Sequence, residues 1–265
     1  MKKRITIISL AIIAVSLTAY STINYKDINE CNKVVAEKNN TAEEKIKSRI
    51  FTDFIYEIGP RFTPIKKSDL HKLTSFSDYI GNEHAQRIIN YKSLSVMLVV
   101  NDRPSDDRIT NTDNNFNKEQ LHFLKSLDYS TNLMMWADYE EVSEETGEIQ
   151  DAHWTPYLTV VPETQAQYSD GIKALKIFLK EATEDTRVKA NVDPEKLQPA
   201  KLYFTVTKNG AIENVKLDRT SNYPQVDDKM IQLIKEAPGY WTPARNTKGD
   251  KVDQELVVSF GLMGC

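Results

Sequence analysis

Cysteine and histidine are scarce: the 265-residue chain has two Cys and four His. Structural zinc sites draw their ligands chiefly from those two residue types, so a multi-ligand zinc centre is nearly excluded. His71, His84, His122 and His153 are scattered and form no i, i+4 pair. A Gly-rich phosphate loop is missing, and so is a Gly-x-Ser-x-Gly nucleophile elbow. Basic residues are not in excess either. With 34 Lys and Arg against 38 Asp and Glu the formal charge is −4, so a dedicated nucleic-acid binder would have to hide a basic patch in an acidic chain. Glycine (9) and proline (10) are too few for collagen. An apolar share of 40% with 27% charged residues is an ordinary globular balance, which rules out wholesale disorder and a polytopic membrane protein. The length fits one or two domains.

What is present begins at the N-terminus. Lys2, Lys3 and Arg4 precede an apolar run over 5–17, broken only by Thr6, Ser9 and Ser16. A positive n-region followed by such a run is an export signal. Extended through Ile23, the run is just long enough to cross a bilayer as a helix. Two readings stand, a cleaved secretory signal over 1–25 or an uncleaved anchor over 5–23. Both place the rest of the chain outside the cytoplasm, soluble or held at the membrane, because the basic cluster stays inside. Membrane contact is expected only through this segment. In an oxidising compartment Cys31 and Cys265 invite pairing. A bridge between them would close a very long loop and stabilise by about 4–5 kcal/mol on the chain-entropy account. The alternative is two unpaired thiols.

Periodicity organises the remainder. Residues 26–40 are polar. Thr41-Ala42-Glu43-Glu44 reads as a capping box, opening a helix with Ile46, Ile50, Phe54, Ile55 and Ile58 on one face until Gly59-Pro60 ends it. Residues 26–59 thus read as a helical linker. Ser68 and Asn82 are candidate caps of two further helices. Residues 94–100 form a nearly continuous apolar strand, followed by a polar loop over 101–117. Asn117 opens a helix with Leu121, Leu124 and Leu127. Strands are expected at 133–139 and 154–161, with a turn at 143–148 between them. Ser169 or Asp170 caps a helix carrying Ile172, Leu175, Phe178 and Leu179, and 183–199 reads as a linker. Residues 201–207 alternate cleanly. Asn209-Gly210 is a strong hairpin signal, with the return strand at 212–217. Asp227 or Asp228 opens a helix that Pro238-Gly239 ends, and 253–260 is the last strand. Helix, hairpin, helix and strand make a small two-layer α+β unit, an antiparallel sheet with helices on one face.

The last part resembles the C-terminal domain of TonB-type energy transducers. The hairpin over 202–215 with its Asn209-Gly210 turn resembles that domain's first two strands. Thr220-Ser221 and Asp227 stand where the family has a Ser-rich turn and an acidic helix start. Trp241-Thr242-Pro243-Ala244 matches a Trp-x-Pro-Ala/Gly motif, and Lys248-Gly249-Asp250-Lys251-Val252 approximates a Gly-Lys-Pro-Val turn. Pro162 and the helix to Ala182 resemble the family's Pro-rich approach and leading helix. The likeness covers about 157–263 and implies a TonB-type domain over 157–265, preceded by an α+β domain over 60–156. It also implies that the last strand accepts a peptide from an outer-membrane receptor by strand addition. The residues it assigns are Gln254, Glu255, Leu256, Val257, Val258, Ser259 and Phe260. Inner-membrane motor proteins are the other partners it implies. The chain departs from the family in having no His in its apolar segment and no long Pro-rich spacer. The alternative is therefore a non-energised periplasmic binding or scaffolding module, with the strand edge covered by the N-terminal half or by a second copy in a homodimer.

Residues 94–161 also repeat the order of 202–260. Strand 94–100 corresponds to 202–207, helix 118–127 to the helix from Lys229, Trp136 to Trp241, Thr146-Gly147-Glu148 to Lys248-Gly249-Asp250, and the strand ending at Val161 to the one ending at Phe260. A diverged duplication is one explanation and shared common elements the other. Asp102, Asp106, Asp107 and Asp113 with neighbouring Asn residues could offer oxygen ligands to Ca²⁺, but the glycine and closing Glu of an EF-hand loop are lacking, so a solvated loop is the better reading. No nucleophile–base–orienter set is visible. The expectation is a protein that is not an enzyme and takes no cofactor, metal or nucleic acid.

Overall fold

The computed structural model describes residues 54–262. The signal, the segment 41–53 and the Cys31–Cys265 pairing lie outside the described residues. Phe54 onward is one unit, and it is α+β, built on two main sheets.

The larger sheet takes its strands from the first part of the chain. Strands β2 (Thr63–Lys66), β3 (Ile88–Val100), β4 (Arg103–Asn111), β5 (Asn132–Val142) and β7 (Tyr157–Val161) lie in the order β2-β7-β5-β3-β4. Strand β6 (Ile149–Trp154) pairs with β5 beside β7. Every pairing is antiparallel except β2 with β7. One face buries Leu94, Val96, Leu133, Met135, Ala137 and Tyr139 against Phe76, Phe116 and Leu124. Leu124 belongs to helix α4 (Lys118–Ser126); the one-turn helices α1 (Lys67–Leu70), α2 (Ser77–Ile80) and α3 (Asn82–Ala85) precede β3.

The smaller sheet has the order β1 (Ile55–Gly59), β14 (Gln254–Gly261), β9 (Ala200–Val206), β10 (Ile212–Arg219), all antiparallel. Strict alternation puts Leu202, Phe204 and Val206 of β9 and Leu256, Val258 and Phe260 of β14 on its buried face. Helix α5 (Gly171–Lys189) contributes buried Leu175 and Leu179, and helix α6 (Pro224–Lys235) contributes Val226, Met230 and Ile234. Two short ladders complete the unit, β8 (Gln167–Tyr168) with β11 (Trp241–Thr242) and β12 (Ala244–Arg245) with β13 (Lys251–Val252). Trp241 is buried between the rings of Tyr168 and Phe204, with centroids 5.4 and 5.5 Å away. At the Asn209-Gly210 turn, Gly210 has φ +83°, and a Cβ there would lie 2.5 Å from the Trp241 carbonyl oxygen. Both facts require glycine.

Both sheets follow one path: hairpin, helix, then a strand that returns beside the hairpin's first strand. β3–β4, α4 and β5 do this in the larger sheet, β9–β10, α6 and β14 in the smaller. The correspondence differs from the one expected. By pairing, β5 and not the strand ending at Val161 is the counterpart of β14. Trp136 lies inside β5, whereas Trp241 sits in β11.

Several expectations need correction. Residues 55–59 are a strand and not the end of a helix. Phe54 and Tyr56 are buried while Glu57 is exposed, a period of two, and an open strand edge on β14 supplies the pairing that a helix would have to forgo. Residues 103–111 are β4 and not loop. Asn101 and Asp102, at φ 51° and 62°, make the tight turn, and both residue types tolerate the left-handed conformation. The expected strand 154–161 is broken at Thr155-Pro156, where proline cannot donate to a ladder. Helix α5 runs on to Lys189 through part of the expected linker. Tyr157–Val161 belongs to the larger sheet, so the chain passes to the smaller one after Val161.

Gln120 ties α4 to the β3–β4 hairpin. It is fully buried. Its Nε2 donates to the carbonyls of Leu94 (2.8 Å) and Ile109 (3.1 Å). Its Oε1 accepts from the Asn117 N–H (3.0 Å) and from Asn111 Nδ2 (2.7 Å). The Asn117 side chain in turn accepts from the Gln120 N–H at 2.8 Å, completing a capping box. Gln120→Ala leaves these buried groups unpaired and is expected to destabilise the fold by roughly 3 kcal/mol, read from urea unfolding. A loss below about 1 kcal/mol would mean the network carries no net stability.

Candidate functional site

The resemblance directs attention to β14, and the structure gives that strand two neighbours. On one side it pairs with β9 along its whole length, from Gln254↔Val206 to Phe260↔Ala200. On the other side β1 pairs with its second half, from Ile55↔Gly261 to Gly59↔Val257. Over residues 257–261 the expected open edge is therefore filled by the chain itself, while 254–256 have no strand partner there among the described residues. The seven assigned residues divide between two faces. Leu256, Val258 and Phe260 point into the core. Gln254 is also buried; its Oε1 accepts from the Ala166 N–H at 2.7 Å and its Nε2 donates to Gln165 Oε1 at 3.2 Å. Glu255, Val257 and Ser259 face the other way; Val257 is buried there, and Glu255 and Ser259 are half-buried. Cys31 and Cys265 lie outside the described residues.

That face is ordered by the register. Glu57 pairs with Ser259, Ser259 with Lys201, and Lys201 with Arg219, so these four side chains form one row across all four strands. A cleft of about 260 Å³ lies over the row, lined by Ile55, Pro199 and Leu262 in addition to the row itself. A second cleft, of about 250 Å³, shares Glu57 and Ser259 with the first and extends over Gly59, Arg61 and Val257.

Arg61 sits where the chain crosses from β1 to β2. Only 3% of its side chain is exposed. Its Nε donates to Asp102 Oδ1 at 2.7 Å, and its Nη2 reaches Asp102 Oδ1 at 2.6 Å and Asp218 Oδ2 at 2.9 Å. The guanidinium lies 4.9 Å from the Tyr203 ring centre and 5.8 Å from that of Phe62, within cation–π range. Nη1 is buried with no hydrogen-bond partner. Lys201 Nζ lies 3.5 Å from Asp102 Oδ2. Burial pushes the Lys201 ammonium below the ordinary lysine range; the Asp102 charge opposes this, and Arg61 and Arg219 add to it. Burial also raises the Asp102 carboxyl, but the hydrogen bond and charge of Arg61, with help from Lys201, outweigh that and hold it below the usual carboxylate range.

The histidines that the sequence left unconnected include one cluster. His84 Nε2 lies 3.1 Å from Glu141 Oε2 and 3.1 Å from the Tyr139 hydroxyl. The His84 ring meets Trp154 edge-on, with centroids 4.7 Å apart. Burial pushes the Tyr139 hydroxyl up to about 12, with the Glu141 charge acting the same way. The cluster fastens α3 to the end of the larger sheet. Among the described residues no group of three or more His, Cys, Asp or Glu is placed to hold a metal ion. No described helix is long and apolar enough to cross a membrane.

Arg61 is, with Lys201, Arg219 and Asp218, among the site residues that sequence reasoning missed. A single Arg after Gly-Pro gives no periodic signal, and its carboxylate partners lie 41 and 157 positions away. Glu255 has a testable consequence. Burial raises its carboxyl pKa, Arg61 opposes, and Asp218 reinforces. A carboxyl raised in the folded state favours folding below its unfolded pKa, and that contribution is lost as pH rises through the folded value. Glu255→Gln is therefore expected to raise Tm at pH 7, with the gain vanishing below roughly pH 4. Equal shifts at both pH values in differential scanning calorimetry would show that the charge of Glu255 is not what matters. In comparisons with known proteins, no family model, curated protein or solved structure matches the chain.

Proposed function

We propose that the chain is a non-energised binding module of the cell envelope, with a TonB-like C-terminal domain whose acceptor strand is filled in cis. The observation that carries the reading is the register of β1 on β14. A transducer that takes up a receptor peptide by strand addition needs the β14 edge open, and here residues 55–59 occupy it. The TonB-like assignment rests on order and placement. A leading helix, a hairpin turned at Asn209-Gly210, α6 opened by Asp227, a buried Trp241 and a returning strand follow one another as the resemblance requires. The Asp227 carboxylate accepts from the Thr220 hydroxyl and the Ser221 N–H, joining the residues likened to the family's turn and helix start. Export through residues 5–23 belongs to the proposal, as does a periplasmic location. The lack of His in that segment speaks against coupling to an inner-membrane motor. Partners are then met through surfaces other than the β14 edge.

A reversible lock tests this. Gly59 and Val257 are paired residues, and a Cβ at Gly59 would meet nothing within 4 Å. Opposed strand residues lie about 4.5–5.5 Å apart at Cα, within disulfide range. In a chain with Cys31 and Cys265 replaced by Ser, Gly59→Cys with Val257→Cys fastens β1 to β14 when oxidised. Synthetic peptides copying the periplasmic N-terminal segments of outer-membrane receptors are expected to bind neither form. Cross-linking in the native envelope is expected to yield the same partners from both. Peptide binding by the reduced form alone would overturn the reading in favour of strand exchange and transport.

A further inference from the structure

The row Glu57–Ser259–Lys201–Arg219 and the clefts above it are not explained by partner docking at a strand edge. Three cations converge on this face. Arg61 and Arg219 both act electrostatically on Lys201. Two carboxylates, Asp102 and Asp218, answer them. Glu57 is engaged by Lys176 from α5 at 2.6 Å. Glu255 lies on the same face, four residues from Ser259, about 13 Å along the strand, and lines a different hollow with Asp128 and Ser130. Arg61 and Asp218 act on Glu255 as well, so the four cations and four carboxylates of this face balance. One of the donors is uncommitted: Arg219 is exposed, and no carboxylate pairs with it among the described residues. Beside these cations the first cleft offers Ile55, Pro199 and Leu262, apolar surfaces suited to a carbon skeleton.

We propose that this face binds a small organic monocarboxylate, its carboxylate held by Lys201 and Arg219 beside the Ser259 hydroxyl and its apolar body seated on Ile55, Pro199 and Leu262. A pocket joining an apolar wall to a few convergent polar groups is the usual form of a small-molecule site.

Benzoate is the probe, titrated into the full chain at constant ionic strength and followed by amide chemical shifts. The expected result is saturable shifts centred on Ser259, Lys201 and Arg219. Benzyl alcohol, which has the same ring without the charge, is expected to give none. Arg219→Gln removes one charge-assisted hydrogen bond from an exposed position and is expected to weaken benzoate by about ten-fold or more. Arg219→Lys is expected to recover part of that loss, and Lys201→Gln to weaken binding similarly. Non-saturating shifts, equal shifts with benzyl alcohol, or an unchanged affinity in Arg219→Gln would overturn the proposal. So would saturable binding of inorganic phosphate in place of benzoate, because the apolar wall would then have no role.

Discussion

One buried guanidinium holds the unit together. Arg61 lies between β1 of the smaller sheet and β2 of the larger, separated from them by Pro60 and Phe62. It bonds to Asp102 in the turn of the larger sheet's hairpin and to Asp218 on β10 of the smaller sheet, and it lies over Tyr203 of β9. A charge so enclosed is tolerable only when paired, so the positions of both carboxylates are tied to it. Removing both partners would leave a buried charge uncompensated, at a cost of about 3–5 kcal/mol. The Asn101-Asp102 turn, the crossing at Pro60–Phe62 and the register of β10 are thus different aspects of one constraint.

The same crossing accounts for the filled edge. Because β2 is fixed in the larger sheet and Arg61 is clamped, residues 55–59 emerge alongside β14. Tyr56 reaches across to the Thr183 hydroxyl on α5, and Phe54 stacks near Phe260, with centroids 6.5 Å apart. The strand is anchored through its side chains as well as its backbone.

Local signals were legible in the sequence and distant ones were not. The Asn209-Gly210 turn, the alternation of 201–207 and the helix opened by Asn117 each declare themselves within a few residues, because turn chemistry, pleat and capping are local. The α+β class followed from them. Residues 55–59 were misread because Ile46, Ile50, Phe54 and Ile58 fit a helical spacing, and β-branched residues are shared by both periods. Strand β4 was hidden by its composition: Arg103 to Asn111 is polar because it forms an edge of the sheet and exposes most of its side chains. Of the candidate site, Ser259 was named from the sequence, as a member of the last strand. Lys201, Arg219 and Arg61 come together only through register and a crossing that no spacing in the chain announces.

The antiparallel sense of β1 on β14 also fixes how the unit responds to tension. Ile55, the first residue of β1, is opposite Gly261, the last of β14. A pull between residues 54 and 262 therefore acts across the ladder and not along it. The rungs are loaded one at a time from that end, as in opening a zipper, and are never loaded together in shear. The seam yields at its outer end first, and the clamp at Arg61, behind the innermost pair, is the last part to feel the load. A chain that must carry force between distant points would orient this strand the other way; here the arrangement behaves as a latch that opens gradually from one end.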